Sequence, residues 1–309
     1  MCDMRWMTDH GILTDKTKMI AFLRSRRLIT TKQTCHCGSS MKKERSKRSI
    51  DGEYWRCQDR ACRTKCSIRL GSFFHNSKLS LRQIVTIIYY WAIECPFRTL
   101  AREAYIKHQT VSRWINRIRK VISIELSRNP PRVGGRDATG ARIRVNIDET
   151  LVSRKKPTRN GHGRYTPQVW LFGAVDSLNN IAIEICDPDL GRTAAALIPK
   201  IKRMILPGSH ILSDEWRAYN SIGRLEGYDY EHTTINHSQY FVDPSGFHTN
   251  WAEGLWALVK RSFARSFGVR RTRLQDYINV FMWRYSRKTR KDFYFDEIMI
   301  SISRAFPLE

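Results

Sequence analysis

Two pairs of cysteines constrain the first third of this chain more than any other feature. Cys35-His36-Cys37 and Cys57-x4-Cys62 are short-spaced pairs with 19 residues between Cys37 and Cys57. Two such knuckles joined by a hairpin are the layout of a zinc ribbon, because four thiolates meet the tetrahedral preference of Zn2+. So short a segment cannot fold on core burial alone, so one structural Zn2+ per chain is expected to supply the folding energy. The expected ligands are Cys35, Cys37, Cys57 and Cys62. The spacings C-x-C and C-x4-C are irregular, however, and Cys66 is a rival fourth ligand, with His36 a weaker one. Cys2, Cys95 and Cys186 read as ordinary free cysteines. The N-terminal "MCDMRWMTDH" has no apolar core or small-residue cleavage site, so no signal peptide is expected, and a reducing compartment favours metal over disulfides.

Between the knuckles lies "KKERSKR", whose Lys42, Lys43 and Arg45 are candidates for phosphate contact, with a solvated hairpin tip as the competing reading. The balance of the whole chain bears on that choice. There are 54 Lys+Arg against 29 Asp+Glu, a net charge of +25. Such a field favours a polyanion, nucleic acid first and an anionic membrane surface second. No run of about 18 uncharged apolar residues is present, so no transmembrane helix is expected.

Residues 9–29 read as a short amphipathic helix carrying Ile20, Phe22, Leu23 and Leu28. Residues 77–128 read as helical, and "FRTLAREAYIKHQTVSRWINRIRK" has the shape of a helix-turn-helix, with a break near Ile106 to His108. In that geometry the second helix enters the major groove, and Gln109, Ser112 and Arg113 would face base edges. An ordinary helical hairpin is the alternative. "SRNPPRVGGRDATGAR" is rich in Pro, Gly and Arg and reads as a linker. After it the period changes to two. Ile143, Val145 and Ile147 alternate with Arg144, Asn146 and Asp148, which is a strand pattern. Two more strands, a helix capped by Thr193, the strand "HILSD", and a possible fifth strand in "DYEHTTIN" complete an α/β sheet domain. The expected organisation is a helical segment (1–34), a zinc ribbon (35–76), a helix-turn-helix domain (77–128), a linker (129–142) and the sheet domain with basic C-terminal helices (143–309).

Three carboxylates stand out in that last part. Asp148 lies on the polar face of the first strand, Asp214 at the end of a buried strand, and Glu253 on a late helix whose apolar stripe is Trp251, Leu255, Leu258 and Val259. Each has a bland reading, as a turn former, a helix cap or a solvated charge. Together they are the ingredients of a two-metal site, where hard oxygen ligands hold Mg2+ and two ions stabilise the attacking and leaving oxygens of a phosphoryl displacement. Glu149 and Glu215 are left out, because an adjacent residue on a strand points the other way. From Lys260 to Lys291 there are eleven Lys/Arg and one acid, with aromatics interleaved. Core aromatics and cations on a DNA backbone are compatible readings of that tail.

The phrases "VNIDETLVSRKK", "QVWLFGAVD", "ILPGSHILSDEWRAYNSI" and "TINHSQYFVDPSGFHTNWAEGLWALVK", in this order, resemble the Merlin superfamily of DDE transposases and its bacterial insertion-sequence relatives of the ISXO2-like group. The ribbon and "CSIRLGSFFHNSKLSL" extend the resemblance over nearly the whole chain. It implies an RNase H-like catalytic domain, a mixed sheet flanked by helices, with Asp148, Asp214 and Glu253 at the triad positions. It implies two Mg2+ (or Mn2+) ions at that site and cut-and-paste transposition, in which double-stranded transposon ends are cleaved and joined to target DNA. Lys260 resembles the basic residue that follows the last acid in such enzymes and would contact DNA phosphate. His237, His248 and Asn250 also match family phrases, in roles that are either metal-supporting, DNA-contacting or structural. Relatives tend to carry an apolar residue where Cys66 stands, which favours Cys62 as the ligand. A homodimer or larger synaptic assembly, no membrane and, in a eukaryotic host, a nuclear location follow from the same resemblance. A domesticated DNA-binding protein without catalysis and a purely hydrolytic RNase H-like nuclease are the alternatives.

Overall fold

The computed structural model describes residues 4–153, 168–235, 250–265, 269 and 271–308. The chain divides into two compact units, Met1–Glu125 with Arg287–Glu309, and Leu126–Ser286.

In the first unit, two helices, α1 (Met4–Asp9) and α2 (Lys16–Ser25), replace the single helix expected over 9–29. The break falls at Gly11, and Asp15 then opens α2 by accepting from the backbone N–H of Thr17 and Lys18. Ile20, Phe22, Leu23 and Leu28 are buried, as their spacing requires. Three short antiparallel strands follow, β1 (Met41–Arg45), β2 (Glu53–Cys57) and β3 (Lys65–Ser67), in the order β1-β2-β3. Then come α3 (Leu81–Ala92), α4 (Phe97–Glu103) and α5 (His108–Arg128). Ser80 and Gln83 form a capping box at the start of α3. Ile84, Val85, Ile87 and Ile88 of α3, Leu100 and Ala101 of α4, and Val111, Trp114 and Ile118 of α5 are buried.

A C-terminal helix, Tyr294–Ala305, also belongs to this unit, so residues 143–309 do not stand together as expected. Phe295, Ile298, Met299 and Ile302 bury its apolar face, Asp296 accepts from Arg26 at 2.9 Å, and Arg287 reaches Glu125 at 2.7 Å. The ion pairs that tie this segment to the first unit run both ways, its Arg287 meeting Glu125 and its Asp296 meeting Arg26.

The second unit holds β4 (Val133–Gly134), β5 (Arg144–Ser153), β6 (Val169–Asp176), β7 (Ile181–Ile185), α6 (Ala194–Met204), β8 (Ile205–Leu206), β9 (His210–Ser213), β10 (Glu231–Thr234), α7 (Asn250–Arg265) and α8 (Leu274–Tyr285). Its main sheet is mixed, in the order β10-β9-β5-β6-β7. β5, β9 and β10 run parallel, and β5, β6 and β7 form an antiparallel meander. The linker expected over 129–142 is instead built into this unit. β4 pairs with β8, and at Gly134 (φ +78°) a Cβ would come 2.3 Å from Ser209 Oγ. Its glycine is there for close approach rather than flexibility.

Both faces of the sheet are covered. On one, Val145, Ile147, Phe172, Ala174 and Ile211 pack with Leu197 and Ile201 of α6. On the other, Leu171, Val175, Ile181 and Ile183 pack with Leu255, Trp256 and Val259 of α7 and Leu274, Ile278 and Met282 of α8. The polar face expected on β5 is thus under helices, and Asn146 is fully buried. The stripe on α7 also differs from expectation. It is Ala252, Leu255, Trp256 and Val259, the i, i+3, i+4, i+7 set, while Leu258 is 41% exposed.

Candidate active site

Register places the two aspartates. β5 and β9 are adjacent and parallel, with Asn146 opposite Leu212 as their last pair. Two residues further on, Asp148 lies within β5 and Asp214 just past the end of β9, near enough for the Asp214 charge to act on Asp148. Burial raises the Asp148 carboxyl from its ordinary 3.8 to about 6, and the negative charges of Glu149 and Asp214 add to the rise. Among the described residues no cation pairs with Asp148. Its hydrogen bond comes from α7, where the Trp256 indole Nε1 donates to Asp148 Oδ2 at 2.9 Å. Asp214 Oδ1 accepts from the backbone N–H of Trp216 at 3.1 Å, a local turn contact; it does not cap a helix as expected, because the 3-10 turn Arg217–Tyr219 has Trp216 at its cap position and no side-chain cap.

Glu149 points to the opposite face. Its side chain is fully buried, and Arg192 donates to both of its oxygens at 3.3 and 3.4 Å. Burial raises the Glu149 carboxyl, and Arg192 opposes the rise. The buried Tyr219 hydroxyl lies beside Glu149 but makes no hydrogen bond of ordinary geometry among the described residues. The Arg192 guanidinium lies over the Trp170 ring at 4.6 Å and the Trp216 ring at 4.7 Å, and the Trp216 indole donates back to the Arg192 carbonyl at 2.9 Å. Glu149 therefore belongs to a clamp that holds the chain just past Asp214.

Glu253 sits in the first turn of α7 and is exposed. Trp256 follows it at i+3, which brings the two onto neighbouring parts of the helix surface. The three carboxylates do not themselves form a metal-compatible cluster among the described residues, where the cysteines do. Hard carboxylate oxygens, that of Asp148 half-buried and without a cationic partner among the described residues, suit Mg2+ or Mn2+ as a donor set.

The cysteine cluster is more compact. The Sγ atoms of Cys35, Cys37, Cys57 and Cys62 all lie within 4.8 Å of one another, with Cys35–Cys62 at 3.6 Å and Cys37–Cys57 at 3.5 Å. Tetrahedral coordination at a metal–sulfur distance of about 2.3 Å gives sulfur–sulfur edges of about 3.8 Å, so these four thiols fit Zn2+ with little movement. A backbone hydrogen bond from Ser39 lowers Cys37 to about 6, and burial pushes Cys57 up to about 12. Cys66 is on β3 opposite Trp55, with its Sγ 3.7 Å from Met41 Sδ, outside the group. His36 lies at the rim, with Nε2 4.0 Å from Cys62 Sγ.

Of the other expected residues, Gln109, Ser112 and Arg113 are exposed on the first turns of α5, at spacings that share one face. Lys42, Lys43 and Arg45 are exposed on β1, and Lys260 is exposed on α7. His237 and His248 lie outside the described residues, and Asn250 is the first residue of α7. Trp256, Gly173 and Arg192 are absent from the sequence-derived site. A glycine inside the strand "LFGAV" is a recognisable sign of close approach, but nothing local says what approaches.

Residues 139–286, which contain this sheet and both aspartates, match the family model of the ISXO2-like transposase domain. An uncharacterized transposase-like protein of Haemophilus influenzae is 26% identical over 93 residues, 30% of this chain and 72% of that relative. Among solved structures, the Mos1 strand transfer complex covers 74% of this chain and 78% of its own at 14% identity and a TM-score of 0.26. The mariner Mos1 paired end complex with Mg covers 68% and 72% at 17% identity and a TM-score of 0.27. Likeness at such TM-scores carries no weight for this fold. No helix among the described residues is long and apolar enough to cross a membrane.

Proposed function

We propose that this chain is a DNA transposase that cleaves transposon ends and joins the freed 3′-OH to target DNA. The observation that carries the reading is the placement of Asp148 and Asp214 on adjacent parallel strands, Asp148 within β5 and Asp214 just past the end of β9, inside the segment that matches a transposase domain. Asp148, Asp214 and Glu253 would hold two Mg2+ or Mn2+ ions, with α7 shifting to bring Glu253 to the aspartates. Bound ions supply charge stabilisation for the attacking and leaving oxygens. The protein's own part is to keep Asp148 desolvated and aimed and to hold the Asp214 turn through the Arg192 clamp. Lys260, on the same helix as Glu253, would contact a DNA phosphate.

The remaining surfaces fit the same reading. A net charge of +25 suits a large phosphate footprint. Gln109, Ser112 and Arg113 would enter the major groove, and Lys42, Lys43 and Arg45 of the zinc-bearing ribbon would grip the backbone. The RNase H-like assignment of the sheet, membership of the Merlin superfamily, a dimeric or larger synaptic complex and nuclear action in a eukaryotic host belong to this proposal.

The test is cleavage of a labelled transposon-end duplex, with gel shift as the binding control. Asp148→Asn, Asp214→Asn and Glu253→Gln should abolish cleavage and strand transfer while end-binding persists. Full activity in Glu253→Gln would remove Glu253 from the site. Cleavage without strand transfer in the wild type would favour the purely hydrolytic nuclease. End-binding affinity should also fall steeply with salt, by about 0.9 in log–log slope per neutralised phosphate.

A further inference from the structure

We infer that Trp256 is a positioning residue that aims the Asp148 carboxylate, and that Gly173 is glycine so that it can do so. The inference rests on the two-metal reading above and extends it to residues that bind no ion.

The geometry has three parts. Asp148 and Gly173 are direct cross-strand partners on β5 and β6. Opposite partners in an antiparallel pair project to the same face, so Gly173 leaves an empty place beside Asp148 on the face that α7 covers. The Trp256 indole fills that place. A Cβ built on Gly173 would come 2.5 Å from Trp256 Cη2 and 2.7 Å from Cζ2, far inside contact distance. Seated there, the indole N–H reaches Asp148 Oδ2 at 2.9 Å, and the side chain is 95% buried.

An indole N–H donates and cannot accept, so it fixes one carboxylate oxygen without competing as a ligand. No side chain among the described residues donates to Oδ1, which would then be the oxygen that meets a cation. Trp256 also stands on the helix that carries Glu253, so one side chain sets both the orientation of Asp148 and the docking of α7 against it. Groups that orient a metal ligand in this way are worth roughly 10- to 100-fold in metal affinity or activity.

The experiment uses the zinc-loaded full chain and reads Mn2+ binding by electron paramagnetic resonance beside cleavage kinetics. Trp256→Phe should bind Mn2+ roughly 10- to 100-fold more weakly and lose kcat by a similar factor, with little change in KM for DNA. In an Asp148→Asn background the same change should add nothing, because the two residues act through one contact. Gly173→Ala should reproduce the loss without touching Trp256, and the Trp256→Phe background should tolerate it better, since the shorter ring vacates the space. If Trp256→Phe unfolds, Gly173→Ala and the indole spectrum decide. Asp148→Ala should move one indole N–H resonance upfield, and no movement would overturn the contact. Wild-type Mn2+ affinity and kcat in Trp256→Phe, with Asp148→Asn inactive, would overturn this inference and leave the catalytic reading standing. Full activity in Asp148→Asn would bring down both.

Discussion

The cysteine ribbon and the carboxylate site are assembled in opposite ways. All four thiols of the ribbon come from residues 35–62 and already lie within 4.8 Å of one another. The carboxylates come from a strand, a strand end and a helix spread over residues 148–253, and only the two aspartates are brought together by register. In the ribbon the chain between ligands is so short that spacing alone dictates the site. In the sheet unit the site depends on strand order, which no short window encodes. The electrostatics differ as well. In the ribbon, burial pushes Cys57 up while the Ser39 backbone pulls Cys37 down, whereas Asp148 is desolvated beside two other acids and is raised to about 6.

The strongest way to break the ribbon half of this comparison is to remove one ligand. Cys57→Ser should abolish stoichiometric zinc and unfold residues 35–67, because apparent zinc binding to such sites amounts to about 10–16 kcal/mol of folding energy. Elemental analysis and backbone amide spectra check it. Undiminished zinc would remove the metal from the account of this segment.

The next largest effect is expected on the far face of the sheet. Arg192→Ala leaves Glu149 buried without its partner, and breaking such a pair costs about 3–5 kcal/mol. The loss should fall toward the low end, since the Arg192 side chain is 26% exposed and water can follow it to the otherwise buried Glu149 carboxylate. Urea unfolding measures it. Glu149→Gln should be milder in stability and far milder in cleavage than Asp148→Asn, because Glu149 faces the clamp and not the helix that carries Glu253.

The carboxylate half is sharpened by pH. The folded Asp148 keeps its proton up to about pH 6, whereas an unfolded aspartate releases it near 3.8. Between those values the folded state binds more protons, so this group makes the protein less stable as pH rises through the window. The full shift corresponds to about 3 kcal/mol, and partial solvent screening reduces it to roughly 1–3 kcal/mol. Asp148→Asn should be the more stable protein at neutral pH by that amount, and its stability should lack the slope. The check is unfolding from pH 4 to 7 in buffer free of Mg2+ and Mn2+, with the zinc retained. A variant less stable than wild type at pH 7 would mean that Asp148 is not under charge strain.

Much of this was legible in the sequence where the signal was local. Alternation marked β5 and put Val145 and Ile147 in the core, Thr193 announced α6, and Asp214 was visible as a strand end, whereas Asp148, expected to close its strand, lies within β5 opposite Gly173 because the strand runs on to Ser153. Leu258 was misplaced because a stripe counted from Trp251 and one counted from Ala252 differ by a single residue. The "NPPRVGG" stretch looked like a linker because a glycine needed for close packing and a glycine needed for freedom are the same letter. Trp256 and Arg192 were illegible for a deeper reason, since each acts across the sheet on a residue more than forty positions away.

The smallest expected effect falls on the one ribbon cysteine whose role spacing left open. Cys66 pairs across β3 with Trp55, and its Sγ contacts Met41 Sδ at 3.7 Å rather than the four clustered thiols. Burial raises its thiol as it raises that of Cys57, so position and not ionisation sets Cys66 apart from the four clustered thiols. Cys66→Ser should therefore keep one zinc per chain and lose about 1 kcal/mol or less, the cost of exchanging a soft sulfur contact for a hydroxyl at a half-buried position. Elemental analysis and thermal unfolding, run beside Cys62→Ser, separate the two. Zinc lost from Cys66→Ser and kept in Cys62→Ser would mean that the ribbon closes on the other cysteine, and that its geometry is set by strand pairing and not by knuckle spacing.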